Sequence, residues 1–378
     1  MRVKRLSALL LCVIITVLSL TGCGGAGDNK QAELNITDSM ALSFAGQFSV
    51  DYCDGGYKLI TLGDGSRFLT VPEGKQPPQD LDGDIMPLYQ PIYNIYLAAT
   101  AAMCLFDSLE RLDAIGFSGT KEDGWYIENA KNAMRDGSIK YAGKYSAPDY
   151  ELLTSEGCEL AVESLMIGHA SDIKDQLETL GIPVLVDQSS NEEHPLGRAE
   201  WIKLYGALLD EEEKANEIFD RQVDYLKSVS EEENTGKTVA FFFVSTSGSI
   251  VTRKSGDYVS SMIELAGGKY IFDDLGDHTT KTSTVTLEPE FFYSQAKDAD
   301  IIIYNAAIAD EVATLDELCG KCELLKDFDA VKNGNVWCTG KSMYQETTDA
   351  GEIIKSMHDI FADDTGELTE LPYFYRLK

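Results

Sequence analysis

Apolar and polar positions alternate in two short runs, Tyr57–Leu62 and Arg67–Val71, separated by Gly63-Asp64-Gly65-Ser66. Period-two alternation around a Gly/Asp turn predicts a β-hairpin. A Pro- and Asp-rich loop follows to Asp84. Residues 95–112 carry apolar side chains at helical spacing, and 114–117 form a short apolar run that stops at Ser118-Gly119. Helices are predicted at 125–134, 150–163 and 172–180, with buried strands at 164–167 and 182–186. Short strands alternating with helices predict a parallel α/β sheet. The pattern then changes. Residues 197–209 and 211–229 are long helical stretches whose apolar stripes carry Trp201, Leu204, Tyr205 and Leu208, then Ile218, Phe219, Val223 and Leu226. Asp210 with Glu213 predicts a helix start between them. The α/β alternation resumes with a strand at 238–244 and a helix at 259–266 closed by Gly267-Gly268. A helix at 288–296, strands at 300–304 and 335–338 and an amphipathic helix at 348–361 complete it. The pattern therefore predicts two α/β lobes flanking a helical connector.

The start of the chain is patterned differently. Arg2, Lys4 and Arg5 precede an apolar stretch from Leu9 to Leu20 that ends in Leu20-Thr21-Gly22-Cys23. A charged start, a short apolar core and small residues before a Cys predict a bacterial lipoprotein signal, with Cys23 as the lipidated N-terminus after cleavage. Acyl chains hold a soluble body on a membrane without a spanning helix. The expected organisation is a signal peptide at 1–22, a lipid-anchored tether at 23–40 and an N-terminal lobe at 41–194. The connecting helix is expected at 195–234 and the C-terminal lobe at 235–378. This places the protein on the outer face of the cell membrane.

Composition narrows the function classes. The 378 residues hold 32 Lys+Arg against 63 Asp+Glu, a net charge of −31. Loss of residues 1–22 removes three cations and no acid, leaving −34 over 356 residues. A nucleic-acid binder needs a basic face, which this composition excludes. At 44% hydrophobic the chain has material for a sizeable core. Phosphate-loop and calcium-loop patterns fail: the position five residues before Gly236-Lys237-Thr238 is Glu231, and Asp80, Asp82 and Asp84 are followed by Ile85 where the turn glycine belongs. No catalytic constellation is visible, so no enzyme activity and no resident cofactor are expected. Cys319 and Cys322 have the spacing of a redox pair, and four His leave His169 or His194 as metal-ligand candidates. These two features keep a redox lipoprotein and a divalent-metal-binding lipoprotein open as alternatives.

Four segments in order carry a family resemblance: Leu109-Glu110-Arg111-Leu112-Asp113-Ala114-Ile115-Gly116, Leu177-Glu178-Thr179-Leu180-Gly181-Ile182-Pro183-Val184, Gly267-Gly268, and Asp329-Ala330-Val331-Lys332-Asn333-Gly334-Asn335-Val336. Over residues 90–361 the chain resembles the substrate-binding lipoproteins of ABC importers for siderophores, haem and corrinoids. The resemblance implies two Rossmann-like α/β lobes joined by a long connecting α-helix, with the ligand cleft between them. It implies capture of a ferric siderophore, haem or corrinoid by a monomer and delivery to an ABC permease and its ATPase. It also implies one docking acid per lobe, which fall here on Glu151 and Glu290, with Glu288 beside the second.

In open α/β lobes ligands bind at the carboxyl ends of strands. The expected ligand-binding residues are Ser118, Trp125, Tyr141, Lys144, Tyr145, His169, Arg198, Ser245, Arg253 and Tyr258. The aromatic residues offer flat faces with polar edges, and Lys144, Arg198 and Arg253 offer positive charge in an acidic chain. An ion pair of Arg198 with Glu193 or Glu200 is the competing expectation for that residue.

Overall fold

The computed structural model describes residues 34–79, 81–275 and 283–378. The predicted signal peptide, Cys23 and most of the tether lie outside the described residues. The last residues assigned to the tether do not behave as one. Ile36–Ser39 is strand β1, the edge of a five-stranded sheet ordered β1-β2-β3-β4-β5. The others are β2 (Phe48–Cys53), β3 (Tyr57–Leu62), β4 (Arg67–Val71) and β5 (Ile85–Tyr89). The hairpin β3–β4 has the predicted limits and pairs Lys58 with Thr70 through to Thr61 with Arg67. This sheet stands apart from the parallel sheet of the N-terminal lobe.

That second sheet has the order β12-β11-β6-β7-β8, all parallel. Its strands are β6 (Ile95–Leu97), β7 (Ile115–Ser118), β8 (Lys140–Tyr141), β11 (Ala161–Ser164) and β12 (Val184–Asp187). A small hairpin, β9 (Gly143–Lys144) and β10 (Ala147–Pro148), sits beside it. Helices α1 (Met103–Ser108), α2 (Glu128–Arg135), α3 (Tyr150–Ser155) and α4 (Ser171–Thr179) complete the lobe. Two expectations are corrected here. The run 95–112 is a strand followed by a helix, because a buried central strand is apolar on both faces and short apolar runs carry no distinguishing period. The strand expected at 164–167 lies earlier, at Ala161–Ser164, and Leu165–His169 is a 3₁₀ turn.

The connector is two helices rather than one, α5 (Pro195–Leu209) and α6 (Glu212–Ser230). Asp210 breaks it with a left-handed φ of 60°. It closes α5 and does not start α6, which begins after Glu211. The two helices cross so closely that a Cβ on Gly206 would lie 2.6 Å from the Ala215 methyl. Of the fifteen residues of α5, fourteen are buried.

The C-terminal lobe is built on an eight-stranded sheet, β16-β14-β13-β17-β18-β20-β19, with β15 also on β13. The strands are β13 (Thr238–Val244), β14 (Ile250–Arg253), β15 (Lys269–Tyr270), β16 (Thr284–Leu287), β17 (Ile301–Tyr304), β18 (Val336–Thr339), β19 (Glu370–Leu371) and β20 (Phe374–Arg376). Helices α7 (Tyr258–Leu265), α8 (Pro289–Ala296), α9 (Leu315–Lys321), α10 (Asp329–Lys332) and α11 (Ala350–Ala362) cover it. One apolar core runs from Phe48 through Trp201 and Phe219 to Phe241 and Ile354, so the connector joins both lobes to the N-terminal sheet. A second core, with Tyr96, Phe117, Leu153 and Val184, lies within the N-terminal lobe.

Glu163 of β11 is fully buried on the strand face it shares with Ala161, and among the described residues neither of its oxygens has a hydrogen-bond partner. Burial pushes its carboxyl up to about 8. The folded state therefore holds a proton that an unfolded chain releases near pH 4.5, so stability from this group falls as pH rises from about 4.5 to 8. Relative to the native chain, Glu163→Gln should gain about 1.4 kcal/mol per pH unit across that window. Denaturant unfolding at pH 5 and pH 8 measures it; an equal difference at both pH values contradicts the assignment.

Candidate ligand cleft

The carboxyl ends of the C-lobe strands and the start of α5 enclose a cavity of about 240 Å³. Pro195 and Arg198 line it from the connector and Ala101 from the N-lobe, and the remaining wall belongs to the C-lobe. Arg198 sits in the first turn of α5, which begins with Pro195 after the His194 ring has capped the Leu196 N–H at 3.1 Å. A cation at a helix N-terminus opposes the helix dipole. Arg198 Nη2 donates to Ser190 O at 2.9 Å, and its guanidinium lies 3.9 Å from the centre of the Tyr258 ring. Its Nε is buried with no partner among the described residues, and burial pulls its pKa below the ordinary guanidinium value. The expected alternative partners are absent. Glu200 instead accepts from the backbone N–H groups of Ser43, Phe44 and Ala45 and pairs with Lys203.

Arg253 ends β14 and is buried. It donates to the Tyr344 hydroxyl, approaches Ser283 Oγ at 3.4 Å and lies 3.7 Å from Asp257 Oδ2. Burial opposes its charge, yet Tyr344, Asp257 and Tyr258 outweigh that and hold its pKa above the ordinary value. Asp257 also caps α7 by accepting from Val259 N at 3.0 Å, which places Tyr258 at the first position of the helix facing Arg198. The Tyr344 hydroxyl receives a second donor, Asn305 Nδ2, at 2.9 Å, while Asn305 Oδ1 is buried without a partner. The result is a wall of two stacked guanidinium–phenol pairs with unspent donor and acceptor capacity, suited to an anionic ligand with flat apolar surface.

The structure thus brings together Arg198, Arg253 and Tyr258 of the expected residues. The others do not line this cavity. Ser118 and Trp125 are buried in the N-lobe, where Trp125 Nε1 donates to Ser118 Oγ at 3.2 Å and that hydroxyl donates to Thr120 O at 2.6 Å. Tyr141 is exposed with Lys121 over its ring, and Lys144 is exposed on the small hairpin. Tyr145 packs half-buried on the second core, and His169 is exposed. Ser245 lies in the β13–β14 turn, 2.9 Å from Ser247 Oγ, and lines a neighbouring cavity of about 380 Å³ that meets the first at Ile308. Glu151 and Glu290 are exposed in the first turns of α3 and α8. Among the described residues no group of three or more His, Cys, Asp or Glu converges to hold a metal ion. Cys319 and Cys322 are free thiols, and burial pushes Cys319 up, away from reactivity.

The sequence profile of the periplasmic binding protein family matches residues 108–342. The chain belongs to this family. The family and its fold are those of solute-binding proteins, which take small ligands and work with a permease and ATPase. An uncharacterized lipoprotein of Methanocaldococcus jannaschii is 24% identical over 383 residues, covering 90% of this chain and 89% of its own. The periplasmic heme-binding protein of Vibrio cholerae shares the fold with a TM-score of 0.56 at 15% identity, covering 70% of this chain and 97% of its own. The petrobactin-binding protein of Bacillus subtilis matches with a TM-score of 0.56 at 13% identity, covering 71% and 92%.

In this member of the family, sequence reasoning missed Tyr344, Gln345 and Glu346. The signal was present, since residues 340–349 follow the carboxyl end of β18, where the strand-end rule places ligand contacts. Gln345 ties the lobes together. Its Oε1 accepts from Tyr126 N and its Nε2 donates to Gly124 O, both at 2.8 Å. An amide side chain thereby pairs with a backbone segment of the other lobe at the rim of the cavity. Gln345→Ala should leave the fold intact and speed hydrogen exchange of the Tyr126 amide by about tenfold, the worth of one hydrogen bond. Unchanged exchange there would show that the latch carries no weight.

Proposed function

We propose that this protein is a lipid-anchored extracytoplasmic binding protein that captures an anionic metal complex or macrocycle, either a ferric siderophore, haem or a corrinoid. It delivers the ligand to an ABC permease with its ATPase and performs no chemistry of its own. The observation that carries the reading is the pair of guanidiniums, Arg198 and Arg253, facing one cavity from stacked tyrosines in a chain of net charge −31. Arginine at such a site recognises carboxylate and phenolate oxygens, and the tyrosine faces suit a planar or aromatic ligand. The fold's neighbours from Vibrio cholerae and Bacillus subtilis, named for haem and petrobactin, support the ligand class. A cavity of about 240 Å³ is small for such a ligand, so the reading extends the site into the neighbouring cavity, which Ile308 also lines. The lipobox at Cys23 and the lipoprotein relative in Methanocaldococcus jannaschii support the anchor.

Thermal unfolding with ferric siderophores, haem and cobalamin tests the ligand class. A true ligand at a hundredfold its Kd should stabilise the protein by about 2.7 kcal/mol, and no response to any of them refutes the reading. Docking is tested separately. Glu151 and Glu290, exposed on different lobes, are proposed to meet basic residues of the permease. The double variant Glu151→Ala/Glu290→Ala should bind ligand with unchanged affinity and lose uptake in a reconstituted transporter; normal uptake would remove the docking role.

A further inference from the structure

The cavity holds one carboxyl, Glu346, in the same wall system as Arg198 and Arg253. Opposite charges sharing a part-buried space ordinarily pair, since an isolated buried carboxylate is costly. Here they do not: among the described residues the Glu346 carboxyl forms no ion pair and no hydrogen bond, while Arg253 turns to Asp257 and Tyr344 and Arg198 to Ser190 and Tyr258. Burial pushes its carboxyl up to about 7, and the negative charges of Asp349 and Asp107 add to that. Both of those acids have partners of their own. Asp349 accepts from the Tyr373 hydroxyl at 2.7 Å, and Asp107 accepts from Asn129 Nδ2 at 2.9 Å. Glu346 lines the cavity with its carboxyl unpaired among the described residues. Met262, Ile308, Met343 and Ile353 give the same cavity an apolar part of its lining, beside Tyr344 and Thr347.

Resting on the anionic-ligand reading above, we infer that the ligand is amphoteric: its negative group sits on Arg198 and Arg253, its apolar body crosses the methionines and isoleucines, and an ammonium or other N–H-bearing group meets Glu346. A ligand of this kind brings the missing partner with it, so the group that is unfavourable in the empty cleft becomes a charge-assisted contact in the filled one. A purely anionic ligand meets repulsion at the same position. Glu346 therefore acts as a selectivity residue, discriminating among anionic chelates by what they carry at the far end.

A matched pair of ferric tris-catecholate chelates, one with a primary amine and one with that amine N-acetylated, tests this by titration of the full chain at pH 8. The amine chelate should bind at least tenfold more tightly. In Glu346→Gln the ratio of the two affinities should fall below twofold, and in Glu346→Asp, which keeps the charge, it should stay above threefold. Equal affinities in the native protein, or a ratio unchanged in Glu346→Gln, overturn the inference while leaving the anionic-chelate reading standing. Binding of neither chelate overturns the inference, while the broader ligand class stands or falls on the thermal unfolding with haem, cobalamin and other ferric siderophores described above.

Discussion

The structure depends on burying a polar-ended helix. Helix α5 is covered on every side, so its terminal N–H and C=O groups have no water to turn to and must be satisfied by protein. At its carboxyl end Lys58 and Gln90 from the N-terminal sheet and Arg111 from the N-lobe donate to the carbonyls of Ala207, Leu208 and Leu209. Along its side Glu200 collects the backbone N–H groups of Ser43, Phe44 and Ala45, and the Tyr205 hydroxyl donates to Asp187 at 2.6 Å. Each contact binds a different part of the chain to one helix. Apolar burial alone is non-directional; these bonds set orientation.

The cleft inherits its rigidity from that arrangement. Because α5 cannot turn without breaking buried hydrogen bonds, Arg198 is presented at a fixed place opposite Tyr258. Arg253 is held from the other side by the end of β14 and by Asp257, which serves both as helix cap and as counter-ion. Helix α6 leans on α11, where Gln222 Oε1 accepts from Gly351 N, so the C-lobe is tied to the second half of the connector as the N-lobe is to the first. The left-handed residue Asp210 joins the halves and is itself held by Lys58 and Gln90. Of the polar groups without a partner among the described residues, Arg198 Nε, Asn305 Oδ1 and the Glu346 carboxyl belong to or adjoin the cleft wall, where the proposed ligand would supply what the protein leaves out.

Much of the fold was legible. The hairpin Tyr57–Leu62/Arg67–Val71 and strand Thr238–Val244 have the expected limits because a turn signal or a dense β-branched and aromatic run marks them locally. The run 95–112 misled, since a strand buried on both faces looks like a helix core. The site was legible in part. Arg198 and Arg253 stand out as cations in an acidic chain, but Ser118 and Trp125 carry the same residue-level promise and face inward to each other.

By itself the sequence determined the alternation that makes two α/β lobes and the helical stretches between them, because these follow from short-range periodicity. Only the tertiary structure decided that Asp210 closes α5 rather than opening α6, that Ile36–Ser39 and the strands after it form a sheet of their own, and that Tyr344 and Glu346 share a wall with Arg198. Those facts depend on which side chains meet across more than a hundred residues, and on which polar groups find partners once water is excluded. Pairing of that kind leaves no periodic trace along the chain.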